Sequence, residues 1–338
     1  MTTRPQTLAL FVVLALATAC GSVNYTESSG SGQAQRAGSR GSDGYPVGMT
    51  NCGRRLTVES RPKRVVSLYP GQTELLVELG LGDRIVAQAQ DAVSEPDPDL
   101  AEEVAAIPSL DPDSPPAKEV LIAEEPDFIY SGTEFEFNTE MGFAGTKDLQ
   151  AVGATPYVAK AGCLAGRSDG TVEDMFTDLE NLGRIFGVEQ QAAELAKKAR
   201  AELDDVSDQV NGKRVRTALV YSDAGKLTAI AAAVDADMLR LGGGENIFTR
   251  NDSRFSDFFA AEVNPEVVSE RDPEAFVFAV QDKAHQRQTI SYLRRTFPQT
   301  PAVRENRLVP VRNTVFAPGT LASIEGVRTI ADGLHPRR

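Results

Sequence analysis

The 338-residue chain is 41% hydrophobic and 25% charged, which is enough apolar material for folded cores, and its length suits about two domains. Its 35 Lys and Arg against 48 Asp and Glu give a net charge of −13, so the basic surface demanded by a phosphate backbone is missing and a nucleic-acid partner is excluded. The two histidines, His285 and His335, cannot assemble a histidine-rich metal centre, and there is no tryptophan.

The chain opens MTTRPQTLALFVVLALATAC, with Arg4 ahead of an apolar run from Leu8 to Ala17. That run is shorter than the roughly 20 residues that span a bilayer, and it reads as a targeting segment. The small residues around Cys20 resemble a bacterial lipobox, which implies cleavage before Cys20 and a diacylglycerol on its sulfur. An ordinary secretory signal with an incidental cysteine is the alternative. The stretch to residue 49 is rich in Gly and Ser with no apolar period, and reads as a flexible tether with a reach of about 30 Å. Cys52 and Cys163 remain as an even pair in an exported chain, most simply a disulfide closing a loop of about 110 residues, with two buried thiols as the alternative.

From Arg64 onward the pattern alternates between strand and helix. RVVSL (64–68) reads as a strand, followed by a turn and a helix through TELLVELG; IVAQAQ (85–90), PDFIYSG (126–132) and PYVAK (156–160) read as further strands. Such alternation predicts a parallel, doubly wound α/β lobe over residues 50–187. Thr171 and Asp174 form a capping box before an amphipathic helix stopped by Gly187. A second helix carries Ala192, Leu195, Ala196, Ala199, Leu203, Val206 and Val210 on one stripe and extends about 33 Å. We read residues 188–211 as a connector, because the alternation then restarts over 212–338 with RVRTALVYS (214–222), KLTAIA (226–231), AFVFAV (275–280) and RLVPV (307–311). GGGEN (242–246) lacks dinucleotide-site spacing and reads as a tight turn.

The two halves share an echo. KEVLIAEEPDFIY (118–130) aligns without gaps on the segment from Pro265, placing Glu119 over Glu266 and Pro126 over Pro273. No phosphate loop, zinc-protease motif or serine elbow occurs, so the chain is expected to bind rather than catalyse, without cofactor or resident metal.

RVVSLYPGQTELLVELGLGDRIVA (64–87), EVLIAEEPD (119–127), LGRIFGVEQQAAELAKKARAEL (182–203), LRLGGGENIF (239–248), EVVSERDPE (266–274) and GVRTIADGLHP (326–336) together resemble the substrate-binding proteins of bacterial ABC importers for iron-siderophores and vitamin B12. The NCGRR opening and later cysteine resemble an actinobacterial branch. The resemblance implies two doubly wound α/β lobes joined by a single long helix, and a monomer that hands its ligand to permease and ATPase subunits. It implies that Glu119 and Glu266 meet permease arginines. It implies a ferric siderophore as ligand, with a corrinoid, haem or cofactor precursor as alternatives.

Ligands in such folds lie between the lobes at the C-terminal ends of strands. That selects Tyr69, Gln72, Gln90, Asp91, Tyr130, Glu134 and Phe135 from the first lobe. From the second come Tyr221, Arg250, Arg254, Lys283, Arg312 and Phe316, a basic set that points to an anionic carboxylate or catecholate chelate. Without tryptophan, Tyr and Phe must supply any stacking.

Overall fold

The computed structural model describes residues 44–223 and 225–337; the signal segment, Cys20 and most of the expected tether lie outside them. The described chain opens with an antiparallel hairpin, β1 (Val47–Asn51) and β2 (Arg54–Val58). The folded body therefore begins inside the stretch assigned to the tether. Val47 and Asn51 face inward while Gly48 and Thr50 face solvent, an alternation too short to stand out in a Gly-rich run.

Four strands build the N-terminal sheet: β3 (Val65–Ser67), β4 (Ile85–Gln88), β5 (Phe128–Ser131) and β6 (Thr155–Val158). All pair in parallel in the order β4-β3-β5-β6. Parallel strands need crossovers, supplied by α1 (Pro70–Glu78), α2 (Ala101–Ala105), α3 (Lys118–Ala123) and α4 (Thr146–Ala151). The central strands are buried along their whole length, as the apolar run FIY requires, with Ser131 buried behind it through its hydroxyl bond to Glu136.

The capping box holds in part: Asp174 accepts both the Thr171 N–H (2.9 Å) and its hydroxyl (3.1 Å) ahead of α5 (Asp174–Phe186), which ends on Gly187 at φ +64. The 22-residue α6 (Glu189–Val210) follows. It buries Ala192, Ala199, Val206 and Val210 and packs on α5 at one end.

The C-terminal sheet is mixed. β7 (Val215–Asp223) turns back into β8 (Lys226–Ile230) as an antiparallel hairpin, so the second sheet is not purely parallel. After α7 (Ala233–Leu241) and a turn at Gly242–Gly243 comes β9 (Gly244–Asn246), a short parallel partner of β7 where only a turn was expected. β10 (Ala260–Glu262) edges β8; α8 (Pro265–Glu270) leads into the central β11 (Ala275–Val280). Then follow α9 (Lys283–Thr296), α10 (Pro301–Arg304), β12 (Leu308–Arg312) and α11 (Ala322–Leu334). The main path runs β10-β8-β7-β11-β12.

The sequence echo is a duplicated structural unit. Each copy is a six-residue helix with its glutamate in the first turn, α3 and α8, followed by a left-handed residue, Glu125 (φ 47) or Asp272 (φ 46). Next comes the Pro-acid pair, whose carboxylate accepts a backbone N–H of the neighbouring strand: Asp127 from Arg64 at 2.9 Å, Glu274 from Arg216 at 3.1 Å. The same arginines return a side-chain bond to the helix C-terminus, Arg64 to the Glu124 carbonyl and Arg216 to the Arg271 carbonyl. The arginine thus satisfies carbonyls that a helix end leaves without partners.

Two of the links between the lobes involve α6 and the segment after β12. The far half of α6 packs on α11, where Arg328 pairs with Glu202 and Asp205. The segment between β12 and α11 returns against the first lobe: Gln72 Nε2 donates to the Pro318 carbonyl (2.6 Å) and the Tyr130 hydroxyl to the Gly319 carbonyl (2.7 Å). Gly319 is needed there, since its φ is +71 and a Cβ would sit 2.5 Å from that of Ala159.

Candidate functional site

The C-terminal ends of β3, β4 and β5 meet the residues following β12 around a cavity of about 270 Å³, lined by Tyr69, Gln90, Thr133, Phe135, Glu136, Arg167, Asn313 and Phe316 among others. Each position follows from its element. Tyr69 is the extended residue that caps α1, Gln90 turns out of β4 with φ +60, and Thr133 follows β5. Asn313 begins the turn after β12 and donates to the Tyr69 hydroxyl at 3.2 Å, closing the cavity floor across the lobes.

Burial, reinforced by Glu136, Asp235 and Tyr221, pushes the Tyr69 phenol up to about 12. Tyr69 is therefore a neutral hydrogen-bonding group at physiological pH. Glu136 is buried but satisfied, accepting from the Ser131 hydroxyl (2.9 Å) and the Thr133 hydroxyl (2.6 Å). Gln90 is fixed by its amide bond to the Leu68 carbonyl (2.7 Å). The walls are thus pre-formed and mostly neutral. Phe135, 45% exposed and edge-on to Phe143, and Phe258, 51% exposed, leave apolar surface open to solvent.

Of the residues selected from strand ends, Tyr69, Gln90, Phe135 and Phe316 line this cavity. Gln72 and Tyr130 are fully buried, and the Gln72 amide nitrogen and the Tyr130 hydroxyl are both spent on the crossing segment. Glu134 lies aside, paired with Arg54 (3.3 Å) and accepting the Leu164 N–H (2.7 Å). Asp91 takes the Ser109 hydroxyl. Tyr221 is half-buried and stands edge-on to His285 at 5.5 Å.

The basic set is dispersed. Arg250 pairs with Asp169, and Arg312 with Glu325, Asp97 (3.5 Å) and Glu74 (3.8 Å), so opposite charges already occupy both. Arg254 and Lys283 are exposed, on the turn Ser253–Phe255 and at the start of α9, and neither lines the cavity. In a chain this acidic Arg250 and Arg312 each find a carboxylate close by, which is why counting basic residues misleads.

Strand-end reasoning missed Thr133, Glu136, Arg167 and Asn313. Thr133 and Glu136 form a T-x-x-E pattern directly after β5, and Asn313 adjoins Arg312; both were available signals. Arg167 sits in an irregular segment, Leu164–Asp169, and carried no such mark.

The expected disulfide is present, Cys52 to Cys163, tying the β1–β2 hairpin to the segment after β6. Glu119 and Glu266 are both exposed, and among the described residues neither forms an ion pair.

The family described as periplasmic binding protein matches residues 65–313, well over half the chain. This chain belongs to that family, whose members are solute-binding components of transport systems rather than enzymes. As such it is the extracytoplasmic substrate-binding component of an ABC importer. It is 21% identical over 301 residues to an uncharacterized ABC transporter substrate-binding lipoprotein, YvrC, of Bacillus subtilis, covering 86% of each chain. It is 25% identical over 221 residues to the vitamin B12-binding protein of Vibrio parahaemolyticus, covering 65% of this chain and 72% of that one. A solved structure described as an ABC-type Fe3+-hydroxamate transport system from Saccharomonospora viridis shares the fold with a TM-score of 0.70 at 24% identity, covering 86% of this chain and 99% of that one.

Proposed function

We propose that the protein is a monomeric, lipid-anchored receptor that captures a bulky metal chelate of low net charge, a ferric hydroxamate or a corrinoid, and presents it to its permease through Glu119 and Glu266. The single observation that carries the ligand class is the make-up of the cavity: Tyr69, Phe135 and Phe316 with one cation, Arg167, and one acid, Glu136. An anionic carboxylate or catecholate chelate was the expectation from the basic set, and it loses its support once Arg250 and Arg312 are found paired with acids. A highly anionic chelate would face one arginine in a body of net charge −13. Neither histidine lines the cavity, which disfavours haem held by imidazole. The named ligands of the Vibrio and Saccharomonospora proteins fit this class.

Sites that enclose a drug-sized ligand run from about 300 to 1,000 Å³. A cavity of about 270 Å³ accepts one edge of a large chelate, with the remainder held at the mouth against Phe135 and Phe258. The exposed glutamates, one per lobe, supply two bidentate carboxylates for a two-fold permease.

Quenching of intrinsic tyrosine fluorescence, from seven tyrosines and no tryptophan, tests the ligand class. Titrations with a neutral ferric tris-hydroxamate, cyanocobalamin, haem and a ferric tris-catecholate should give micromolar or tighter binding for one of the first two. The tris-catecholate should bind at least about tenfold more weakly. Tightest binding of the catecholate would overturn the reading.

A further inference from the structure

Arg167 stands on a strap that crosses between the lobes. The strap leaves β6 at Cys163, where the disulfide anchors it to the β1–β2 hairpin of the first lobe. It then reaches the second lobe three times. Asp169 pairs with Arg250, the Val172 N–H donates to Asp237 of α7 (3.0 Å), and the Arg167 guanidinium lies 5.0 and 5.8 Å from the ring centroids of Phe259 and Phe258.

Two features separate Arg167 from the other arginines near the cleft. It lines the cavity, and among the described residues no carboxylate forms an ion pair with it, whereas Arg250, Arg271 and Arg312 each hold one. Aromatic faces attract a guanidinium through its charge and leave its in-plane N–H donors unspent. The rings therefore fix the position of Arg167 without consuming the fork that recognises an oxyanion in two-point fashion. Glu136, the carboxylate in the same lining, is taken up by the Ser131 and Thr133 hydroxyls, and Asp235, whose charge Arg167 feels, forms no ion pair with it, so the fork stays open to a negatively charged substituent of the bound molecule.

Resting on the chelate-binding reading of this cavity, we infer that Arg167, held by the disulfide-anchored strap and the Phe258–Phe259 platform, selects chelates that carry a single carboxylate or phosphate substituent. The contact is bidentate and spans both lobes, because the arginine comes from the strap and its platform from the second lobe.

The test uses the purified protein with two pairs of probes: a ferric tris-hydroxamate bearing one free carboxylate against its methyl ester, a pair that differs only in the charge, and cyanocobalamin against cyanocobinamide, which lacks the phosphate together with the ribose and base it carries. The wild-type protein should prefer the member of the pair it binds that carries the carboxylate or phosphate. Arg167→Gln should weaken that member roughly tenfold or more while changing its partner less than about threefold, and Arg167→Lys should restore part of the loss. Phe258→Leu with Phe259→Leu keeps apolar bulk but removes the aromatic faces, and should reduce the preference by about threefold. Equal affinities within a pair, or equal losses of both members in Arg167→Gln, would overturn the assignment while leaving chelate binding intact. Failure of the wild-type protein to bind either pair at about 100 µM would instead remove the chelate reading and this assignment together.

Discussion

The two lobes agree at one end and diverge at the other. Around α3 and α8 they superpose feature by feature: glutamate in the first turn, left-handed residue, Pro-acid pair, arginine clamp, buried central strand. Elsewhere the first lobe has a purely parallel four-stranded sheet and a disulfide-tied hairpin, while the second has a mixed six-stranded sheet. A two-fold partner that reads one carboxylate from each lobe requires equivalent surfaces. A ligand without two-fold symmetry imposes no such requirement on the cavity walls, and there Tyr69 and Gln90 face Asn313 and Phe316 with no correspondence between the lobes.

The largest expected effect breaks the conserved end of this comparison. Reversal of both acids, Glu119→Arg with Glu266→Arg, should reduce uptake in cells by about a hundredfold or more while chelate affinity of the purified protein stays within about twofold. The two single reversals should fall between wild type and the double variant, and to similar degrees. Uptake unchanged in the double variant would remove the docking role.

The disulfide tests the divergent end, since it belongs to the first lobe alone. With its cysteines separated by 111 in sequence, Cys52→Ser with Cys163→Ser should cost about 2–5 kcal/mol of stability, read as a lower urea midpoint. A loss below about 0.5 kcal/mol would mean that the hairpin and strap are held by packing alone.

A smaller effect compares one buried acid from each lobe. Burial pushes Asp178 up to about 7, with Asp174 adding to the rise against the Tyr157 hydroxyl and Lys160 N–H; burial also pushes Asp235 up to about 7 against its own backbone bond and Arg167. The unfolded carboxyls release their protons near 3.8, so between about pH 4 and 7 the native state holds more protons than the unfolded one. Stability contributed by these groups is therefore complete below about pH 4 and declines as pH rises through 7, by on the order of 1 kcal/mol per pH unit for each. Asp178→Asn and Asp235→Asn should each flatten the fall in urea midpoint between pH 5 and 7.5 by about half. A slope left unchanged by one variant would assign the effect to the other lobe.

Much of the fold was legible because its signals are local. Gly187 ends α5, Glu189–Val210 is the single helix its stripe implied, and the buried strands are β-branched and aromatic runs. The cleft was half legible. Strand-end reasoning reached Tyr69, Gln90, Phe135 and Phe316, but it included Arg312, whose neighbour Asn313 faces the cavity while Arg312 turns to Glu74, Asp97 and Glu325. One residue along a chain is enough to separate a cavity wall from an inter-lobe ion cluster.

By itself the sequence determined the strand and helix periods and the duplicated helix-Pro-acid unit, which depend on neighbours within a few turns, while the pairing of the two cysteines, one of two readings left open there, came from the structure. The tertiary structure alone decided which arginines are paired with acids and how the segment from Ala317 to Thr320 locks beneath the first lobe. Gln72 and Tyr130 reach carbonyls 246 and 189 positions away and Arg250 an acid 81 positions away, and no local pattern encodes which opposite charge reaches an arginine first.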